Sequence, residues 1–569
     1  MSGPGDRAPK PPSSGEPTRS LSSEGQGEDP TKVDLGRSLS PGSKSSARSN
    51  KLPARKPGDL AGASPSMLEG RQPREGEEPQ AVERASEESD AVVVPGKSAK
   101  ARVTPVESAE GRAAAQGKST ARNASRAQDR QEALTYLQRI GQRARQEPKE
   151  KFTNLLSHVK VPLLKQAYQR LNKHAASGID GVSWREYGER LDERLLELQD
   201  RIHRGSYHPQ AVRRVHIGKG DGRTRPLGIA ALEDKVVQQA VRMVLEPIYE
   251  AEFIGFSYGF RPKRSAHGAL DALAEAIARK VNWVLEADIR SYFDSMEHGW
   301  MQKFIEHRIG DKRMVRLLMK WMRAGVMEEG KLHEVERGSP QGAVISPLLA
   351  NIYLHYVLDL WALKWRKQQA RGEMYIVRYA DDFVMGFQRE QDARAMQSAL
   401  AERLAQFGLE LHPDKTRVLR FGRFAREDCE QRGQSKPETF EFLGFTHIAG
   451  RCRQGKFLLI RRTSGKKRRA TQARIKQECK RRRHRPVPEQ HKWLSSVLRG
   501  HYRYYGVPTN TSALRQLQRA ARWIWMRWLQ RRGSRSKWSA AQMDAFDRRF
   551  PLPPARIFHP WPETRFALR

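Results

Sequence analysis

The sequence predicts a mixed α+β body, preceded by a low-complexity extension and followed by a basic α-helical region. Three observations carry this expectation. Apolar runs at 283–289 and 374–385 read as strands, each with a carboxylate at its end. Apolar residues recur at helical spacing among Lys and Arg between 493 and 529. Residues 1–130 are rich in Ser, Gly, Pro, Arg and Glu and poor in aromatics.

Taken in order, the first 130 residues cannot bury enough apolar surface to offset the entropy lost on folding, so a disordered extension is expected. Their many acidic residues and missing amphipathic face disfavour a mitochondrial targeting peptide. No apolar run approaches the roughly 18 residues of a membrane span, so no membrane partner is expected. Cys429, Cys452 and Cys479 have no metal-ligand spacing, and such sparse usage fits a reducing cytosol.

The net charge of +39 over 569 residues points to a polyanionic partner. Residues 446–569 hold 32 Lys and Arg against 5 acids, which concentrates the positive field at the C-terminal end. Interleaved aromatics, among them Trp493, Tyr502, Tyr504, Tyr505, Trp523, Trp525, Trp528 and Trp538, argue against a loose basic tail. Trp493, Leu494, Val497 and Leu498, then Leu514, Leu517, Ile524, Trp528 and Leu529, suit the core of a small helical bundle. Gly506, Val507 and Pro508 should end one helix before another begins near Thr511. Tyr502, Arg503 and Tyr504 suit stacking on unpaired bases instead.

The chemistry sits in the body. Asp381 and Asp382 lie at the bend of the 374–385 ribbon, and adjacent like charges call for a cation or for water. Asp-Asp at a hairpin is also ordinary turn chemistry. Asp288, at the end of 283–288, adds a third carboxylate from a distant stretch. Carboxylates on two strand ends can hold two magnesium ions for phosphoryl transfer.

These residues resemble a known family. Tyr379-Ala380-Asp381-Asp382 is similar to the signature of reverse transcriptases, and the Asp288 segment to their first metal-binding motif. Ser177-Gly178-Ile179-Asp180-Gly181-Val182, Arg223-Thr224-Arg225-Pro226-Leu227-Gly228-Ile229 and Phe256-Ser257-Tyr258-Gly259-Phe260-Arg261-Pro262 resemble the subgroup encoded by bacterial group II introns. So do Ser339-Pro340-Gln341-Gly342 and Ile345-Ser346-Pro347-Leu348-Leu349-Ala350-Asn351. Gly408 to Thr416 and Phe442-Leu443-Gly444-Phe445 match the last two motifs, so the resemblance covers roughly 170–445. Leu498 to Val507 resembles the maturase region that binds intron RNA.

The resemblance implies a right-hand polymerase with fingers and palm over 131–446 and a basic linker at 447–470. A thumb-like maturase domain follows at 471–540, then a short tail without a nuclease at 541–569. It implies two Mg2+ ions held by Asp288, Asp381, the carbonyl of Ile289 and, less directly, Asp382, which as a plain turn former would be inert. Lys219 and Arg225 would meet the triphosphate from either side of Gly220-Asp221-Gly222, unless that turn is only a solvated hairpin. Phe293 would exclude a 2′-hydroxyl, with Tyr292 as the alternative because strand neighbours point oppositely. Gln341 would contact the nucleotide, Lys415 its phosphates, and Leu443 and Gly444 the primer end. Arg499, Tyr502, Arg503 and Tyr504 would bind RNA. His298, His412 and His501 read as structural.

The implied activity is RNA-directed DNA synthesis with maturase action in a bacterial cytoplasm. The implied partners are group II intron RNA, an RNA template with a DNA primer, deoxynucleoside triphosphates and target DNA. Two other readings are an RNA-binding splicing factor with an incidental polymerase site and a reverse transcriptase adopted for phage defence.

Overall fold

A computed structural model describes residues 135–218, 224–328, 331–333, 337–338, 342–533 and 538–562. The expected disordered extension lies outside them. The described chain mixes helices with three sheets.

The central sheet positions the acidic residues. Its strands, in spatial order, are β6 (Met374–Tyr379), β7 (Asp382–Phe387), β3 (Trp283–Asp288) and β8 (Arg417–Arg420). All its pairings are antiparallel. β7 is buried over most of its length and β3 over half of it, the remainder half-buried, which is why both read as near-continuous apolar runs. Helices cover this sheet. One helix, α1 (Leu232–Glu250), buries Val236, Val237, Val241, Val244, Leu245 and Ile248 in the main core, which also takes in Leu285 of β3 and Phe383 of β7. A second, α2 (Ala266–Arg279), starts at Ser265, whose side chain accepts from the Gly268 amide. A third, α3 (Ser346–Leu354), is buried at nearly every position.

A second sheet is built around β1 (Val212–Gly218) and β2 (Thr224–Ile229), paired antiparallel up to Gly218 opposite Thr224. β4 (Val326–Glu328) joins β1 in parallel, and β5 (Lys331–His333) closes the order β2-β1-β4-β5.

The third sheet corrects the sequence reading. About half of the stretch expected to be a basic linker, 447–470, is strand: most of β10 (Phe445–Arg451) and all of β11 (Phe457–Thr463) fall in it, and β10 pairs antiparallel with both β11 and β9 (Thr439–Phe442). Surface charges at Arg451, Arg453 and Lys456 hid a run of Phe457, Leu458, Leu459 and Ile460 that pairs with β10. Arg461 of β11 is buried and donates to Asp271 of α2 at 2.8 Å, tying this sheet to the body.

The C-terminal helices follow without a gap. α4 (Gly465–Arg482) begins at Ser464, whose side chain accepts from the Lys467 amide. α5 (Val487–Tyr505) and α6 (Thr511–Leu529) are separated at Gly506–Asn510, as the Gly-Val-Pro signal indicates. Leu494, Leu498 and Tyr502, four residues apart on α5, pack with Leu514, Leu517, Ala521 and Trp525 of α6. The segment expected to be a short tail contains a helix, α7 (Ala540–Arg549), and then Phe550, Leu552 and Ala555 packed on the same core. No described helix is long and apolar enough to cross a membrane.

Candidate active site

Antiparallel pairing places the acidic residues. Asp288 ends β3 and Asp382 begins β7, and the two are direct partners in the β3–β7 register. Facing residues of this kind have Cα atoms roughly 5 Å apart. Tyr379 pairs with Asp382, so Ala380 and Asp381 form a two-residue hairpin turn that carries the third carboxylate beside them.

The turn is strained and braced. Ala380 has φ of +57°, a conformation that disfavours any residue with a Cβ. Its carbonyl accepts from Arg378 at 2.9 Å. The Arg378 guanidinium is fully buried and pairs with the equally buried Asp359 at 2.7 and 2.5 Å and with Asn351 at 2.9 Å. Asn351, on α3, donates to the Gly259 carbonyl at 2.7 Å. Gly259 is needed where it stands, because a Cβ there would lie 2.3 Å from the Ala380 nitrogen. Sequence reasoning quoted Asn351 and Gly259 within motifs but missed this brace, whose signal was a lone Arg inside an otherwise apolar strand.

The electrostatics are those of crowded acids. Burial raises the Asp382 carboxyl to about 7, with Asp381, Asp288 and Glu286 adding like charge and the Leu443 amide opposing. Asp288 is ion-paired with Lys415, which stands on the short turn Pro413–Lys415. Among the described residues no three His, Cys, Asp or Glu side chains converge as a closed ligand set. A divalent cation would suit the like charge that Asp381 and Asp288 add to the burial of Asp382. Ile289 buries its side chain, so only its backbone can take part.

The residues expected around a nucleotide fall into two groups. Tyr292 and Phe293 lie in a helical turn, Tyr292–Ser295, so strand alternation does not apply to them. Tyr292 is buried and donates to the Ala350 carbonyl at 2.6 Å, which removes it as the alternative to Phe293; Phe293 is half-buried. Lys219, the Arg225 side chain and Gln341 lie outside the described residues. Their flanks are placed, however. Gly338 packs on the Phe293–Asp294 backbone, and Gly342, with φ of +106°, packs on Leu227 and Gly228 of β2.

Similarity to known proteins agrees with this geometry. Residues 217–447 match the family described as Reverse transcriptase (RNA-dependent DNA polymerase). Protein YkfC of Escherichia coli is 35% identical over 319 residues, 50% of this chain and 78% of the relative. Group II intron-encoded protein LtrA of Lactococcus lactis is 36% identical over 233 residues, 41% of this chain and 39% of LtrA. The chain belongs to the reverse transcriptase family that it shares with YkfC. A 91 kDa protein in a cob intron of Schizosaccharomyces pombe is 35% identical over 193 residues, 33% of this chain and 23% of its own length. The chain thus spans over three quarters of YkfC but under two fifths of the two intron proteins.

On the C-terminal surface of this reverse transcriptase the expected RNA contacts divide. Arg499 and Arg503 are exposed, one helical turn apart on α5. Tyr502 is not available: it is 1% exposed and belongs to the helical core. Tyr504 is half-buried, with its ring near Phe445 and its hydroxyl bonded to the Leu443 carbonyl at 3.1 Å. An aromatic beside Arg reads alike from sequence whether it faces inward or outward. His298 donates to the Gly338 carbonyl at 2.7 Å, and burial holds both it and His501 below the usual histidine range, His501 at about 4.

The outer face of α6 was missed. Arg515, Arg519, Trp523 and Arg527 are exposed at four-residue intervals along α6, Arg531 follows just past its end, and Trp523 is 59% exposed beneath the Arg527 guanidinium at 4.9 Å. None of these four arginines is ion-paired among the described residues. Trp523 was grouped with the aromatics, but only its four-residue offset from those arginines marks it as outward.

Proposed function

We propose that the chain is a right-hand polymerase that extends DNA primers on RNA templates and, as a second activity, binds group II intron RNA to assist its splicing and mobility. The second sheet with its covering helices would be the fingers, the central sheet the palm, and the helices from Gly465 onward a thumb-like maturase domain. The supporting observation is the register that sets Asp288 directly opposite Asp382, with Asp381 in the adjoining turn.

Asp288, Asp381, the Ile289 carbonyl and, less directly, Asp382 would hold two Mg2+ ions, which supply Lewis acidity at the primer hydroxyl and the leaving pyrophosphate. The chain's own residues do the rest. Lys415 neutralises charge beside Asp288 and would transfer its contact to the phosphates of a deoxynucleoside triphosphate. Lys219 and Arg225 would bind the same triphosphate, and Gln341 the nucleotide above it. The half-buried ring of Phe293 would fill the space a 2′-hydroxyl requires. Leu443 and Gly444 would steady the primer end. Arg499, Arg503 and the arginine–tryptophan stripe of α6 would hold RNA, Trp523 offering a face for an unpaired base. Target DNA would be a further partner, and the setting would be a bacterial cytoplasm.

The test is extension of a labelled DNA primer on an RNA template by the full-length chain and by Asp381→Asn. We expect the variant to lose about a thousandfold in rate, several kcal/mol of transition-state charge stabilisation, while its affinity for a structured RNA stays unchanged. Equal extension by both proteins contradicts the polymerase site.

A further inference from the structure

The C-terminal end of α5 is fastened to the palm by side chains. A helix leaves its last carbonyls without intrahelical donors, and here two of them are met from outside. His267 of α2 places Nε2 2.7 Å from the Tyr504 carbonyl, and His559 places Nε2 2.6 Å from the Arg503 carbonyl. A carbonyl only accepts, so both rings donate from Nε2. The two imidazoles also stack on each other, with centroids 3.6 Å apart.

With its backbone held in this way, Tyr504 reaches the site. Its hydroxyl donates to the Leu443 carbonyl at 3.1 Å, and the Leu443 amide makes a long hydrogen bond to Asp382 Oδ2 at 3.5 Å. Leu443 and Gly444 form the two-residue turn between Phe442 and Phe445, with φ of +49° and +77°. A left-handed backbone disfavours Leu by roughly 1–2 kcal/mol, so outside contacts must hold the turn.

We propose that Tyr504 is a positioning residue for nucleotide addition, its hydroxyl keeping the Leu443–Gly444 turn in the conformation that aims the Leu443 amide at Asp382. The inference rests on the polymerase reading above and moves Tyr504 from RNA contact to the palm. Through Tyr504 the thumb-like helices reach the turn that faces the carboxylates, and a thumb that shifts would carry the turn with it.

The test is rapid-quench addition of one deoxynucleotide to a primer annealed to an RNA template, using the full-length chain and Tyr504→Phe. We expect the burst rate to fall about 3- to 10-fold, the equivalent of one hydrogen bond, with the burst amplitude and melting temperature unchanged. A lower amplitude at the wild-type rate would mean that Tyr504 only supports folding, and that outcome overturns the proposal. Wild-type rate and amplitude together also overturn it. A wild-type protein that adds no nucleotide removes the polymerase reading and the proposal with it.

Discussion

The turn between β6 and β7 and the turn between β9 and β10 are each two residues long, and each places a non-glycine residue in the left-handed region, Ala380 and Leu443. They meet at Asp382 but are held differently. The first is fixed from within the body by a buried Arg378–Asp359–Asn351 network and by the missing Cβ of Gly259. The second is fixed from the C-terminal helices, by Tyr504 on the Leu443 carbonyl and by the Ser464 amide on the Gly444 carbonyl at 2.9 Å. One strained turn is therefore part of the central sheet, and the other is held by contacts from the C-terminal helices. Strain alone says little about function; the origin of the brace says more.

The largest expected effect breaks the inner brace. Arg378→Met leaves Asp359 fully buried without its counter-charge, which should remove about 3–5 kcal/mol of stability. Denaturant titration checks this, and a loss under about 1 kcal/mol would show that the first turn does not depend on the ion pair.

Acid should act next, through His447 of β10. Burial, and then the nearby Arg461, push this imidazole down to about 3. The unfolded chain takes up that proton near 6.5 while the native chain does not, so acid favours unfolding. The contribution is complete above about pH 6.5 and is lost at about 1.4 kcal/mol per pH unit as the pH falls toward 3. His447→Leu should flatten the pH dependence of the denaturant midpoint by that slope between pH 6 and 4.5. Parallel curves for the two proteins would remove His447 from the account.

The smallest effect concerns the outer brace. Gly444→Ala would set a Cβ 2.9 Å from the Tyr505 hydroxyl at a φ of +77°, a strain of roughly 1–2 kcal/mol. Primer extension should slow several-fold and recover in part when Tyr505→Phe removes the hydroxyl. Absence of any recovery would place the fault in the backbone alone.

Much of this was legible in the sequence, for identifiable reasons. A carboxylate at the end of a buried apolar run has few explanations, so Asp288, Asp381 and Asp382 stood out. That Asp288 faces Asp382 was not readable, because register depends on how two strands far apart in the sequence meet. Arg378 was quoted within a strand, yet its partner Asp359 lies on another element and nothing local names it. Tyr502 was placed on a surface although Leu494 and Leu498, at eight and four positions before it, already assigned its face to the core. The β10–β11 pair was read as linker because lysines and arginines at its rims outweighed the apolar run between them.

The measurement that bears most directly on the account is single-turnover addition of one deoxynucleotide by Asp288→Asn, on the same primed RNA as the unaltered chain. Because Asp288 faces Asp382 across the sheet and pairs with Lys415, the account predicts a fall of about a thousandfold in rate, with primer–template affinity retained. A rate within a few-fold of the unaltered chain would show that the facing carboxylates are not where the chemistry occurs.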